Sequence, residues 1–170
     1  MKEHFKMMAA YNTWANRRIY DAAAGLSDEE CGRDVGTFFR SMMGTLNHIL
    51  VADRIWMKRF TGEGDAPTRL DAILHPDLSA LRSAREKEDQ RIASWIEGLE
   101  ESTLAGSIAY TTVTNSQRVS QRLAPTLSHF FNHQTHHRGQ AHMILSVLGK
   151  EPPSLDLAYF QRMPEGQDFA

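Results

Sequence analysis

Residues 127–148 read LSHFFNHQTHHRGQAHMILSVL, and they are the most informative part of the sequence. Its apolar side chains recur at helical spacing, which predicts a long amphipathic helix. We expect this helix to begin near Pro125 and to end before Gly149, since these residues suit a first turn and a C-terminal stop. The stripe consists of Leu127, Phe130, Ala141, Ile144, Leu145 and Leu148.

The same helix carries several histidines, and only two of them face its apolar stripe. At 100° per residue, His137 lies near the centre of the stripe and His133 within about 60° of it. His129 falls at the edge of the stripe, and His136 points toward solvent. The sequence therefore nominates His133 and His137, four residues apart, as an inward-facing pair.

Three further segments show a helical period, over residues 3–24, 41–60 and 76–99. Between the third and the fourth helix, residues 106–122 are rich in β-branched and aromatic side chains, with a turn-forming run at 114–117. This region is predicted to form a two-stranded hairpin. The whole chain is thus expected to be one all-α domain, residues 1–170. Its architecture would be an antiparallel four-helix bundle with a small β-hairpin inserted before the last long helix.

Composition narrows the classes of function. The chain is 41% hydrophobic and 24% charged, with a net charge of −2 and no basic block, so no nucleic-acid partner is expected. No apolar run approaches the roughly 20 residues of a membrane span. Cys31 is the single cysteine, and the first residues lack a signal-peptide pattern, so a cytoplasmic location is expected. No strongly basic pocket that would indicate an anionic substrate is evident.

A third ligand for a metal is available on the second predicted helix. His48 lies at the edge of the apolar stripe of that helix, where it would border a groove. Three neutral imidazoles suit one divalent ion, with zinc or nickel as the leading candidates, and they leave open positions for water or substrate. The alternative is that these histidines are hydrogen-bonded core residues with no metal.

The residues between the pair exclude two better-known chemistries. Gln134 follows His133, where zinc proteases carry a glutamate that serves as general base, so a protease is disfavoured. The glutamates of di-iron bundles are also missing. Asp53 and Gln140 remain as candidates for a catalytic or orienting role. A structural role for Asp53, paired with Arg85 or another basic residue inside the bundle, is the alternative.

Three segments together resemble the DinB-like family, also called the DinB/YfiT-like metalloenzymes. They are residues 11–16 (YNTWAN), residues 46–50 (LNHIL) followed by Trp56, and residues 127–140 (LSHFFNHQTHHRGQ). The resemblance implies a four-helix bundle whose metal is held by one histidine of the second helix and two of the fourth. In this sequence these histidines are His48, His133 and His137.

The resemblance also implies an activity and an assembly. Family members of known activity are mainly thiol-dependent transferases or isomerases, in which the metal activates a low-molecular-weight thiol. Members are often homodimers, and a second stripe on the first helix could supply the interface or pack within the monomer. That stripe comprises Met7, Tyr11, Trp14 and Arg18.

Three functional hypotheses follow from the sequence. The first is a metal-dependent enzyme in which a small thiol, or alternatively water, attacks a small electrophile. The second is a metal-binding or ligand-binding protein without catalysis, for example in a stress response. The third is a bundle with three buried histidines and no metal.

Overall fold

The computed structural model describes all 170 residues, and four long helices form its frame. They are α1 (Lys2–Ala23), α3 (Met42–Thr61), α4 (Leu78–Gly98) and α6 (Leu123–Val147). The short helices are α2 (Asp28–Gly32), α5 (Glu101–Leu104) and α7 (Leu157–Phe160), and a 3-10 turn (Pro164–Phe169) ends the chain. The predicted helical bundle is confirmed. None of these helices is long and apolar enough to cross a membrane.

The predicted hairpin is also present, as strands β1 (Ser107–Thr111) and β2 (Arg118–Arg122). They pair antiparallel, with Ser107 opposite Arg122 and Thr111 opposite Arg118. The start of the last long helix was predicted two residues too late. Leu123 follows β2 directly, and Pro125 occupies the third helical position, where its missing N–H still costs no intrahelical hydrogen bond.

Side-chain contacts fix the direction of each helix in the bundle. Helices α1 and α4 are antiparallel, since Lys6 contacts Glu97 near one end and Asp21 contacts Arg82 near the other. Helices α3 and α6 are also antiparallel, as the contacts between His48 and His137 and between Phe60 and Phe130 show. By contrast, α3 and α4 run in the same direction, since Arg85 binds Asp53 and Arg91 binds Thr61. Helices α1 and α6 also run in the same direction, since Phe5 stacks on Phe131 and Asn16 binds Arg138. The chain must therefore travel back along the bundle between α3 and α4. Residues 62–77 make this return without regular secondary structure.

Asn47, on the buried side of α3, fastens the returning segment. Its side-chain oxygen accepts hydrogen bonds from the backbone N–H groups of Leu74 and His75, at 2.8 and 3.1 Å. Its amide nitrogen donates to the carbonyl of His75. Because the next residue of α3 is His48, the segment is held directly beside the predicted metal ligand.

The second stripe of α1 is covered by the C-terminal residues of the same chain. Tyr11 and Trp14 are buried, and both rings contact Phe160 of α7. The Tyr11 hydroxyl donates to the carbonyl of Leu155, and the Arg18 guanidinium to that of Ser154. This stripe packs within the monomer, and it does so against a segment whose short helices the sequence did not predict.

Candidate metal centre

The structure brings the three predicted histidines together. His48 comes from α3, and His133 and His137 come from successive turns of α6. The Nε2 atom of His137 lies 3.2 Å from that of His48 and 3.1 Å from that of His133. All three ligand atoms lie within 4.8 Å of one another, so the trio could hold one metal ion.

The antiparallel packing of α3 on α6 determines which residues of the two helices lie opposite each other. As residue numbers rise along α3, those of the facing residues of α6 fall. His48 faces His137, Asp53 faces Gln134, and Phe60 faces Phe130. His48 is 4% exposed and His137 8%, whereas His133 is half-buried at the open side of the group. The cluster is therefore enclosed from within the bundle and accessible from one side.

Hydrogen bonds on the far side of two rings orient their Nε2 atoms. His48 Nδ1 donates to the carbonyl of Leu70 at 2.8 Å, and His137 Nδ1 donates to the side-chain oxygen of Gln140 at 2.8 Å. With the proton on Nδ1, each Nε2 carries a lone pair, and the two lone pairs face each other. Two acceptors at 3.2 Å repel unless a cation lies between them.

A proton does not readily fill that role, because burial disfavours charged imidazoles here. Burial lowers the pKa of His48 to about 4. Burial and, to a smaller extent, the neighbouring histidines together lower the pKa of His133 to about 3. The pKa of His137 is lowered as well, again mainly by burial. At neutral pH the three rings are neutral, which is the form that binds metals.

The spacing of the nitrogens fits a metal. A tetrahedral zinc ion with Zn–N bonds of about 2.0–2.1 Å separates its nitrogen ligands by about 3.3–3.4 Å. The contacts of 3.1 and 3.2 Å are close to this value. Outer hydrogen bonds from ligand imidazoles to carbonyl oxygens, as from His48 and His137, are also typical of metal sites. Three protein ligands leave at least one coordination position open.

Phe39 forms one wall of the site, which the sequence did not predict. Its ring stacks on His48 with a centroid distance of 3.8 Å, and its edge meets His137. The turn that presents Phe39 packs tightly on α3, since a Cβ atom on Gly44 would lie 2.0 Å from the Phe39 carbonyl oxygen. The adjacent Phe-Phe pair was a possible signal, but its direction depends on that turn.

Asp53 takes the structural role that the sequence left open. Its carboxylate accepts hydrogen bonds from Arg85 of α4 and from Gln134 of α6, and it is fully buried. Arg85 also pairs with Asp89 at 3.0 Å. Burial raises the pKa of Asp53, and the Arg85 guanidinium opposes this. Asp53 does not contact the three histidines, so the geometry offers no role for it as their proton acceptor.

Gln140 touches the candidate centre, whereas the remaining histidines of the run lie outside it. The Gln140 side chain connects His137 to the exposed His136, its amide nitrogen lying 3.2 Å from His136 Nε2. Gln140 is therefore a positioning residue. His129 is exposed and its ring contacts Trp56, 5.4 Å away. Both histidines lie where the helical wheel placed them.

Comparison with known proteins identifies the family of this chain. The family model of the DinB family matches residues 1–168. Protein DinB of Bacillus subtilis strain 168 is 26% identical over 146 residues, which cover 82% of this chain and 83% of that protein. The crystal structure of a DinB-like protein from Bacillus cereus ATCC 10987 has a TM-score of 0.72 at 16% identity, covering 89% of this chain and 95% of that one. Since the family match spans nearly every residue, this chain belongs to the DinB family.

Proposed function

We propose that the protein is a metal-dependent thiol S-transferase. It binds one divalent ion, zinc or nickel, through His48, His133 and His137, and it activates a small thiol for attack on a small electrophile. The observation that carries this proposal is the convergence of three neutral imidazole nitrogens, two of which present lone pairs to each other at 3.2 Å. We also propose a cytoplasmic location, where small thiols stay reduced. The family resemblance supports a homodimer, whose interface would lie outside the α1 stripe that the C-terminal segment covers.

A divalent ion at such a site lowers the pKa of a bound thiol or water and stabilises the resulting anion. The residues of the chain hold the ion and orient the imidazole rings that would bind it. The Leu70 carbonyl and the Gln140 amide fix the rings of His48 and His137, while Phe39 shields His48 from water. Because no carboxylate belongs to the histidine group, the proton of the thiol passes to solvent.

The lack of a carboxylate favours a thiol over water as the nucleophile. A thiol has a pKa of about 8.5, whereas that of water is about 15.7, so the thiol needs far less help to lose its proton. Metal-dependent hydrolases of the zincin type place a glutamate beside the attacking water, and the corresponding position here is Gln134, which is bound to Asp53. Hydrolysis is the second candidate, and a metal-binding protein without catalysis is the third.

The first test is metal content in protein purified without a polyhistidine tag. We expect one zinc or nickel ion per chain in the wild type and a loss of that ion in His48→Ala and His137→Ala. His142→Ala is the matched control, because it removes an imidazole of the same helix that forms no hydrogen bond or ring contact with the three histidines or with Gln140. Wild-type protein that takes up no stoichiometric metal under any loading condition would contradict the proposal.

The second test is thiol conjugation, measured with a generic electrophile across several biological thiols. We expect metal-dependent turnover in the wild type and in His142→Ala, and none above background in His48→Ala. Circular dichroism of each variant verifies folding. Conjugation that persists unchanged in His48→Ala would rule out this mechanism, while metal binding without turnover of any thiol would favour the third candidate.

A further inference from the structure

A row of aromatic rings leads away from the three histidines toward the hairpin. The ring of His129 lies 5.9 Å from that of His133 and 5.4 Å from that of Trp56. Trp56 in turn meets Tyr110 of β1 at 5.0 Å, edge to face. The histidine group and the hairpin are therefore connected by one continuous wall built from α3, α6 and β1.

Arg59 is held at the far end of this wall. Its guanidinium carbon lies 4.5 Å from the centroid of Trp56 and 4.4 Å from that of Tyr110, so aromatic rings flank it. One of its terminal nitrogens donates to the Thr111 carbonyl at 3.0 Å. No carboxylate of the chain forms an ion pair with Arg59. A fixed cation without a counter-ion thus lies next to the wall.

A cavity of about 420 Å³ opens beside the same wall. This volume falls within the range of about 300–1,000 Å³ that small-ligand pockets occupy. No acidic residue lines it, and the side chain of Arg122 there forms no ion pair. The side-chain oxygen of Gln121 accepts a hydrogen bond from the Tyr110 hydroxyl, so the Gln121 amide N–H groups remain available as donors. The lining consists of Tyr110, Gln121, Arg122, Pro125, Thr126 and His129.

We propose that this cavity is an oxyanion subsite, which binds the carboxylate of a small molecule whose other end reaches the three histidines. Arg122 supplies the direct charge, Arg59 adds positive potential from the wall, and the Gln121 amide supplies a further donor. An arginine fork matches the two oxygens of a carboxylate, and a region without competing acids makes the pairing favourable. The chain as a whole carries a net charge of −2, so the positive potential here is a local feature.

The subsite identifies a substrate class that the sequence did not indicate. Arg59 and Arg122 are far apart in the chain, and only the packing of the hairpin on α3 brings them to one side of His129. The inference rests on the proposed metal function for one end of the ligand only, since the carboxylate end is bound by residues of the chain itself.

The test is isothermal titration calorimetry on zinc-loaded protein with three ligand series of increasing length. They are ω-mercaptoalkanoates, the corresponding ω-mercaptoalkanols, and alkanoates without a thiol. The variants are Arg122→Gln and Arg59→Gln, and the matched control is Arg162→Gln. Arg162 is an exposed arginine of the C-terminal segment, also without an ion pair, so its loss changes the net charge equally.

We expect mercaptoalkanoates to bind more tightly than mercaptoalkanols, with an optimum chain length that spans both sites. Arg122→Gln should weaken the carboxylate ligands roughly tenfold, as for loss of one charge-assisted hydrogen bond at an exposed site, and leave the alcohols unchanged. Arg59→Gln should also weaken the binding of the carboxylate ligands, and Arg162→Gln should bind every ligand like the wild type. Equal affinity for acids and alcohols, or an Arg122→Gln variant that binds acids normally, would overturn the subsite.

The alkanoates separate this inference from the proposed function. They should bind to wild-type protein and to His48→Ala alike, and lose affinity in Arg122→Gln in both backgrounds. If the thiol group adds no affinity over the simple alkanoate, the proposed thiol function fails while the subsite stands. If the thiol adds affinity but the carboxylate does not, the subsite fails while the metal function stands.

Discussion

The facing sides of α3 and α6 hold two polar clusters within two helical turns, and they differ in how their groups are paired. Asp53 meets Arg85 and Gln134, and Arg85 extends the contact to Asp89. On the same interface, His48 and His137 present lone pair to lone pair. The charges of the first cluster are paired within the chain, although Arg85 Nε and Gln134 Oε1 form no hydrogen bond. In the second cluster, only a cation from outside the chain would pair the two facing lone pairs. Pairing therefore separates a structural polar core from a ligand site better than burial does.

The charged network is completed by groups from α1. Asn12 and Asn16 each donate to Asp89 at 3.0 Å, and their side-chain oxygens accept from the buried guanidinium of Arg138. All four long helices thus contribute to one hydrogen-bonded cluster. Such clusters hold the helices in register, because shifting any one of them would leave a buried charge without a partner.

The largest expected effect tests the structural half of the comparison. Arg85→Met should lower the free energy of unfolding by about 3–5 kcal/mol, because Asp53 and Asp89 would remain buried without their cation. Urea denaturation of metal-free protein measures it. Arg82→Met, on the exposed side of the same helix, should cost less than about 1 kcal/mol. Equal costs for the two substitutions would show that the network adds no more than a surface ion pair.

The second prediction concerns Asp89, whose pKa burial raises to about 6, with Arg85 opposing the shift. In the unfolded chain this carboxyl ionises near pH 3.9. The raised pKa therefore adds its full contribution to the free energy of unfolding below about pH 3.9, and this contribution is lost as the pH rises through about 6. Relative to Asp89→Asn, wild-type stability should fall by up to about 3 kcal/mol between pH 4 and pH 7.

Stability of both metal-free proteins, followed by urea denaturation across this pH range, supplies the measurement. The histidines are common to both proteins, so their titration cancels in the difference. A difference that stays flat, or rises with pH, would mean that the Arg85 guanidinium outweighs burial and keeps Asp89 ionised.

The third prediction tests the metal half. Gln140→Leu should weaken zinc affinity about 10- to 100-fold, because His137 would lose the acceptor that fixes its ring and tautomer. Competition with a chromophoric chelator measures the affinity. Asn132→Leu, an exposed substitution on the same helix, is the control and should bind zinc normally. Unchanged affinity in Gln140→Leu would show that the bond to Gln140 does not orient the site.

The smallest effect is expected at the aromatic cover. Phe39→Ala should lower the stability of metal-free protein by about 0.5–1.5 kcal/mol, the contribution of one aromatic pair, since Phe39 stacks on His48. Thermal unfolding measures it, with Met143→Ala as the control because that side chain is 48% exposed and belongs to no aromatic pair. If both substitutions have the same effect, the stacking on His48 contributes no stability of its own.

The sequence predicted what depends on periodicity. The apolar stripe of α6 indicated which two of its histidines face inward, and the edge position of His48 indicated a groove. What it could not predict depends on how the helices are directed. Leu70 and Phe39 reach His48 from irregular segments, and their side chains or carbonyls carry no periodic signal. The sequence offered the pairing of Asp53 with Arg85 as one alternative. The two residues lie opposite each other because α3 and α4 run in the same direction.

The return segment between α3 and α4 also determines where the chain tolerates a change of length. Leu70 is bound to His48 and Leu74 is bound to Asn47, so two anchors four residues apart attach to consecutive residues of α3. An insertion between them would have to bulge outward or release one anchor. Residues 62–69 have no such double constraint, and additional residues can loop there at a small entropic cost. Length variation in this segment should therefore concentrate before Leu70, with the spacing from Leu70 to Leu74 kept.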